Sequence, residues 1–501
     1  MENPWLLLAL LSALAIAFIS KIVFKTDQKL GPPGPKPWPI IGNLNLLGSI
    51  PHQSLHHLSQ KYGEIMLLKL GKFPVVVASS PKMAEQFLKV HDAAFASRPP
   101  ALAAGKHISY DNSDVSFSPY GPYWREARKI LMSELLGTKK LDQFEQIRVE
   151  ARRSFFSRLK ALSGKPVVLR EHLSRYIMST ICRMVMTNEY VGDSSIIDDG
   201  GMAEMMRDWF VLTGVFNIGD WIPWLGPLDL QGYVRRMKAF RKKSDSFFGY
   251  VIDDHIARRR DGSDKDFVDA LLDLAEDPNA QLHLTRDSLK SLIMNVVLGG
   301  PDTSITTVEW ALHEMFRQPR IFERARAELD AVIGRDRWVE ENDFTQLPYV
   351  DAIIMETFRL HPIATFLAPH YAIQDCNVAG YNISKGTSIL INTWSIGRDP
   401  NTWDAAEEFL PERFMGKQTD MTGGNFALLP FGSGRRICPA YNLGLKIVRT
   451  TLANLLHGFE VELEEGMRGE DVSLEEQYGL ATNPKHPVSI IVKPTLPAHL
   501  Y

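Results

Sequence analysis

A helical pattern of about 32 residues runs through the middle of the chain and limits the folds open to it. It begins after Thr285, a residue type that caps helices, and continues to Pro319. At 1.5 Å per residue it would span about 48 Å, the width of a large domain. Its centre, Gly299-Gly300-Pro301-Asp302-Thr303, contradicts helix propensity. Such local conflicts are expected where function overrides stability.

The rest of the chain predicts a mainly α fold with small β-sheets. Short β-like runs are scattered among longer helical patterns, at Ile65–Leu70, Val75–Val77, Ser388–Ile391 and Val488–Val492. The 501 residues, 45% hydrophobic and 23% charged, can bury a large core. Length alone would permit two or three domains. Because we find neither a repeat nor a second linker, we expect one large domain over residues 40–501.

The amino terminus predicts a membrane anchor followed by a stiff connector. Trp5 to Ser20 carries no charge, and Lys21 and Lys25 follow it, so we assign residues 1–25 to one transmembrane helix. A cleaved signal peptide is the alternative, but its basic leading region is missing. The prolines of residues 31–39 favour an extended hinge, assigned to residues 26–39. The positive-inside rule then leaves the domain in the cytosol.

Charge and cysteine usage narrow the class further. The formal net charge of -3 gives no global reason to expect a nucleic-acid partner. The three cysteines, Cys182, Cys376 and Cys438, are widely spaced and odd in number, which is a poor disulfide framework. This fits folding in a reducing compartment.

The segment before Cys438 is the most specific motif in the chain. It reads Pro430-Phe431-Gly432-Ser433-Gly434-Arg435-Arg436-Ile437-Cys438, and glycines let backbone amides approach a sulfur closely. Taken alone, a single cysteine is more often a small buried hydrophobic residue. The full pattern, Phe431-x-x-Gly434-x-Arg436-x-Cys438, resembles the haem-binding signature of the cytochrome P-450 superfamily.

This resemblance implies haem b with Cys438 as the axial thiolate ligand of the iron, which favours O–O cleavage. Phe431 and Gly434 belong to the same loop, and Arg436 would pair with a haem propionate. The family pattern usually places glycine two residues after the cysteine, where this chain has Ala440. We expect the extra methyl group to be accepted.

Other segments resemble the remaining parts of that family's haem site. Trp124 and Arg128 would donate to the propionates, and His370 is a further expected contact. Glu356 and Arg359, three residues apart on a helix, would form a buried structural triad with Arg413. Taken alone, the first of these segments reads equally well as an amphipathic helix, and a Glu-x-x-Arg pair is most often solvated.

On the oxygen side, the resemblance assigns catalysis to Asp302 and Thr303. Thr303 would hydrogen-bond the oxygen species and Asp302 would relay protons. Pro301 departs from a regular helix because it lacks an N–H and crowds the carbonyl group of Val297, so we expect a kink.

The segments Ser118–Arg125 and Leu452–Phe459 resemble the large microsomal clan of plants within that family, which points to specialised metabolism. This resemblance implies an oxidoreductase, an NADPH-dependent monooxygenase in the endoplasmic reticulum membrane. We find no dinucleotide-binding fingerprint, so electrons would come from a flavoprotein reductase carrying FAD and FMN. The reductase is expected to dock on a basic face near Arg128, Lys129, Arg435 and Lys446, and cytochrome b5 is a further expected partner. The substrates would be dioxygen and a small hydrophobic metabolite, with a phenolic or alkaloid scaffold favoured over a terpenoid. By position, the pocket would use residues 103–114, 209–218, 295–299, 363–367 and 478–480. A reductase-independent isomerase or dehydratase and a non-catalytic haem binder are the alternatives.

Overall fold

A computed structural model describes Ser12 and residues 31–187, 190, 197–258, 265–417 and 419–501. Apart from Ser12, the predicted anchor at residues 1–25 lies outside these ranges, as do residues 26–30 of the predicted hinge. None of the helices within the ranges combines the length and apolar character needed to cross a bilayer. The described part of the hinge runs beside the first strand, where the Leu67 N–H donates to the Pro33 carbonyl over 2.8 Å.

Helices make up most of the described chain, as predicted. Five of them begin with a proline, where the missing N–H costs nothing, at Pro51, Pro81, Pro122, Pro319 and Pro348. In chain order the helices are α1 (Pro51–Tyr62), α2 (Pro81–Glu85), α3 (Asp92–Phe95), α4 (Ala103–His107), α5 (Pro122–Leu131), α6 (Thr138–Gln143), α7 (Glu145–Ala161), α8 (Leu169–Met186), α9 (Asp199–Gly214), α10 (Ile218–Trp221), α11 (Tyr233–Arg258), α12 (Phe267–Glu276), α13 (Arg286–Arg317), α14 (Pro319–Ile333), α15 (Pro348–Leu360), α16 (Thr393–Gly397) and α17 (Tyr441–Gly458).

The strands form four small sheets. They are β1 (Ile65–Leu70), β2 (Phe73–Ala78), β3 (Pro166–Val168), β4 (His370–Tyr371), β5 (Cys376–Val378), β6 (Tyr381–Ile383), β7 (Ser388–Ile391), β8 (Phe459–Leu463), β9 (Glu476–Gln477), β10 (Asn483–Pro484) and β11 (Ser489–Pro494). The largest sheet has the order β1-β2-β7-β4, in which only β2 and β7 pair in parallel. A second sheet has the order β3-β11-β8, and the pairs β5-β6 and β9-β10 complete the set. All four predicted strand segments are confirmed to within two residues.

Helix α13 confirms the long helical pattern and organises the core. It spans 32 residues, and the Thr285 hydroxyl accepts a hydrogen bond from the Ser288 N–H, as a capping residue should. The helix packs against α8, α9, α11, α15 and α17. It stays helical through Pro301, which lies inside it. The centre of α13 is therefore held by the surrounding helices despite its poor helix propensity.

Candidate haem and substrate site

A cavity of about 320 Å³ lies beside the middle of α13. Its walls come from α5, α13, α15, α17 and the loop that precedes Cys438. Cys438 and Thr303, which are 135 residues apart in the chain, both line it. The fold therefore brings the predicted thiolate ligand and the predicted catalytic hydroxyl to one cavity.

The loop before Cys438 needs its glycines for both conformation and space. Gly432 and Gly434 have φ values of +72° and +68°, in the left-handed region that other residues avoid. A Cβ atom on Gly434 would lie 2.3 Å from the Leu88 carbonyl oxygen. The Cys438 N–H donates to the Phe431 carbonyl over 2.9 Å, which closes the loop.

Helix α17 starts directly after this loop, at the position where the chain has Ala440. The φ of Ala440 is -97°, so the backbone there does not require glycine. Burial raises the pKa of the Cys438 thiol, while the Ala440 amide and the charge of Arg128 act to lower it. The backbone N–H of Ala440 thus serves as a donor to the sulfur, and the position does not require the glycine that is usual in the family that the sequence resembles.

Three arginines, two buried and one partly buried, give the cavity a surplus of positive charge. Arg98, Arg128 and Arg436 all line it. Arg436 donates to the carbonyl groups of Ala96 and Ser118, both over 2.6 Å. Burial lowers the pKa of Arg436 to about 8, with the charges of Arg98 and Arg128 adding to this effect.

Asp114 acts on both Arg98 and Arg436, and Asp92, which also acts on Arg436, is itself paired with Arg435. The three guanidinium groups therefore keep a surplus of positive charge, which an anionic group in the cavity would neutralise. A haem, with two propionates and an iron that accepts a thiolate, fits this donor set. Arg98 was missed by sequence reasoning, because only the fold brings it to Arg436.

Two predicted propionate contacts already have protein partners. The Trp124 indole N–H donates to the Val115 carbonyl over 3.0 Å, and the Arg436 guanidinium lies over its ring at 4.3 Å. His370 Nδ1 lies 3.1 Å from the Phe95 carbonyl, and burial lowers its pKa to about 3. A neutral His370 that donates from Nδ1 presents Nε2 as an acceptor. Both residues line the cavity, but neither offers a free donor in this arrangement.

On α13, Thr303 and Asp302 face different surroundings. The Thr303 hydroxyl lines the cavity and lies 3.1 Å from the Gly300 carbonyl. Asp302 is buried and pairs with Arg170 of α8 over 3.3 Å. Asp302 is not among the cavity-lining residues. Sequence reasoning did not find Arg170, which lies 132 residues away in the chain.

The predicted structural triad has the expected geometry. Glu356 accepts from Arg359 over 2.7 Å and from Arg413 over 3.0 Å. The Leu410 N–H donates to the same carboxylate over 2.7 Å. Arg359 also donates to backbone carbonyl groups, including that of Glu408 over 2.8 Å. The triad thus ties α15 to the segment that carries Arg413.

Several aromatic side chains line the cavity. Phe117, Trp209 and Phe210 line it, whereas Phe216 and Phe366 line a neighbouring cavity of about 70 Å³. The two cavities share Phe117, Leu367, Ala368 and Leu480.

Four of the five predicted pocket segments contribute to the main cavity. No residue of the predicted segment 103–114 lines the main cavity, where Val115, Ser116 and Phe117 lie instead. Within that segment, Ala104 reaches only the smaller cavity.

Comparisons with known proteins identify the family of this chain. The family model described as cytochrome P450 matches residues 32–490. The chain is 43% identical to the trimethyltridecatetraene synthase of Zea mays, covering 94% of this chain and 89% of that protein. It is 41% identical to a flavonoid 3'-monooxygenase of Petunia hybrida, covering 97% and 96%. A zebra fish cytochrome P450 solved with progesterone matches with a TM-score of 0.77 and 27% identity, covering 89% of this chain and 99% of that one.

Proposed function

Because this chain belongs to the cytochrome P450 family, we propose that it is an NADPH-dependent monooxygenase that oxidises a phenolic or alkaloid plant metabolite. The family implies a haem with cysteine thiolate ligation, dioxygen as co-substrate and electrons from a partner reductase. The reaction would be a hydroxylation or a related rearrangement, coupling or dealkylation. The observation that carries the proposal is the cavity that Cys438, Thr303 and three arginines share.

Each group in the cavity has a proposed task. Cys438 would hold the haem iron, and the bound haem would supply the oxygen-activating chemistry. Arg98, Arg128 and Arg436 would neutralise its carboxylates. Thr303 would hold a proton at its hydroxyl oxygen on the substrate side, and the buried Asp302 would supply protons to it.

The reductase would dock on an exposed basic face. Lys129 and Arg435 are exposed there and pair with Glu126 and Asp92, whereas the predicted residue Arg128 lines the cavity and Lys446 is only partly exposed. We therefore narrow the proposed docking residues to Lys129 and Arg435. Attachment to the endoplasmic reticulum membrane through residues 1–25, and a contribution from cytochrome b5, belong to the same proposal.

The surroundings of Trp209 support the proposal that the substrate carries an oxygen atom. Its indole is 3% exposed, and within the described residues its N–H has no hydrogen-bond partner. Its ring lies 3.6 Å from the position that a Cβ of Gly299 would occupy, so it lies beside the centre of α13. A buried donor without a partner is costly, and a substrate oxygen would satisfy it.

Substitution of this tryptophan separates the favoured substrate class from the alternative. In Trp209→Phe the Kd for a phenolic ligand should rise about 2- to 12-fold, which corresponds to one net hydrogen bond of about 0.5–1.5 kcal/mol. The Kd for an acyclic polyene hydrocarbon should stay unchanged. Substrate-induced absorbance changes of the haem measure both constants.

The relative named trimethyltridecatetraene synthase supports the alternative, which is oxidation or carbon–carbon cleavage of a terpenoid. If polyenes bind and phenolic and alkaloid ligands do not, the favoured substrate class is wrong. A reductase-independent isomerase or dehydratase is tested separately, by product mass spectrometry in reconstituted microsomes. The monooxygenase requires NADPH and dioxygen for its product, whereas an isomerase would form product from a peroxide without NADPH.

A further inference from the structure

Helix α13 carries a stripe of buried polar residues that lies outside the lining of the haem cavity. Asp302, Thr306, Glu309 and His313 follow one another at spacings of four, three and four residues, which places them on one face of the helix. All four are buried. None of them lines the main cavity. Four buried polar side chains on one helix face are costly unless each finds a hydrogen-bond or ion-pair partner.

Two carboxylates of the stripe converge on one guanidinium group. Arg170 Nη1 lies 3.3 Å from Asp302 Oδ1, and Arg170 Nη2 contacts Glu309 Oε2. The Arg170 side chain is 24% exposed, whereas the two carboxylate side chains are each 5% exposed. With both carboxylates ionised, the three groups would hold a net charge of about -1 away from water, which is costly.

The neighbours of this cluster do not remove that charge. Asn483 of β10 faces Asp302 Oδ2 over 3.4 Å, and Thr306 donates to the Asn483 amide oxygen. Arg207 acts on Asp302, but it is exposed to solvent on α9. His313 is held neutral, since burial lowers its pKa to about 4. Among the described residues, Arg170 is the only cation in contact with either carboxylate.

We propose that Asp302 and Glu309 share one proton under the control of Arg170, and that Glu309 is a second acid in the proton supply of this enzyme. Asp302 accepts hydrogen bonds on both oxygens, from Arg170 and Asn483. Within the described residues Glu309 has only its ion pair with Arg170, and its Oε2 accepts no hydrogen bond. The carboxylate with fewer donors keeps the proton. In agreement, burial raises the pKa of both groups, against the charge of Arg170.

During the transfer a solvent water molecule accepts the proton as the O–H bond of Glu309 breaks, and gives one of its own protons as an O–H bond forms on Asp302. Arg170, which bridges the two carboxyl groups, remains protonated throughout. Asp302 then passes the proton toward the cavity that Thr303 lines. Solvent, which reaches the partly exposed Arg170, returns one proton to the pair. Each cycle leaves the cluster with the proton it had at the start.

Infrared difference spectroscopy of the holoenzyme in H2O and D2O tests the shared proton without turnover. The wild type should show a deuterium-sensitive band of a protonated carboxyl group at neutral pH. Both Glu309→Gln and Asp302→Asn should lose that band, because either change leaves one carboxylate for one guanidinium group. Glu309→Asp should keep it. Glu314→Gln is the matched control, since Glu314 is equally buried on α13 but pairs with His361.

A second measurement tests the role of Glu309 as an acid. The fraction of electrons lost as peroxide should lose its pH-dependent inflection in Glu309→Gln and recover it in Glu309→Asp. A merely structural Glu309 would change melting temperature but leave that inflection in place. Persistence of the band in either charge-removing variant, or an unchanged inflection, would overturn the proposal. The band requires no substrate, so its outcome is independent of the substrate class proposed above.

Discussion

Glu356 and Glu462 form ion pairs of the same length but of opposite burial, and this contrast predicts very different costs of substitution. Glu356 accepts from Arg359 over 2.7 Å, and both side chains are 0% exposed. Glu462 accepts from Lys493 over 2.7 Å, but the side chains are 42% and 51% exposed. We consider replacement of each glutamate by glutamine, which keeps the shape and removes the charge.

The expected loss of unfolding free energy depends on which charged groups remain without a partner when each carboxylate is removed. Without the Glu356 charge, Arg359 and Arg413 remain buried with an amide between them, and the Leu410 N–H loses a charged acceptor. Breaking a buried pair from one side costs about 3–5 kcal/mol. An exposed pair contributes about 0.2–1 kcal/mol, so Glu462→Gln should fall in that range.

Urea denaturation of the holoenzyme, followed by circular dichroism, measures both changes from the shift in midpoint at constant slope. The haem content of each purified variant shows whether the site is intact. If Glu356→Gln and Glu462→Gln lower the free energy of unfolding by the same small amount, the assignment of a structural role to the triad is wrong.

Two further predictions concern the centre of α13 and the pH dependence of stability. Pro301→Thr restores the N–H that the Val297 carbonyl lacks, so we expect altered products or peroxide leakage with unchanged haem content, and unaltered products and leakage together would contradict this. His255 pairs with Asp266 over 3.0 Å; burial disfavours the charged imidazole, but the hydrogen bond and charge of Asp266 outweigh it and raise the pKa of His255 above 6.5. The stabilisation by the charged His255–Asp266 pair is therefore present below pH 6.5 and is lost as the pH rises through the raised pKa of His255. Over that pH range the melting temperature of the wild type should fall more steeply than the melting temperature of His255→Gln.

Local signals in the sequence were sufficient for much of the fold. The Thr285 cap, the helical period and Pro319 defined α13, because capping and periodicity act within a few residues. The spacing from Phe431 to Cys438 likewise identified the loop whose glycines the structure requires. Glu356 and Arg359 could be identified as an ion pair from the sequence, because they lie at positions i and i+3 of a helix.

The contacts that were missed join distant parts of the chain. Arg98 reaches the cavity beside Arg436 only after folding, and no local pattern marks it. The cluster of Asp302, Arg170 and Glu309 depends on how α8 packs against α13. Arg128 was predicted both to bind haem and to lie on a docking face, and only burial separates these two uses.

The ligation of haem by Cys438 is tested most directly by the carbon monoxide difference spectrum of the reduced protein. We expect the wild type, Cys182→Ser and Cys376→Ser to show the absorbance of a thiolate-ligated haem, since neither of the other cysteines lines the cavity. Cys438→Ser should lose that absorbance while keeping a folded far-ultraviolet circular dichroism spectrum. Retention of the thiolate absorbance in Cys438→Ser, or its loss in Cys182→Ser, would contradict the account.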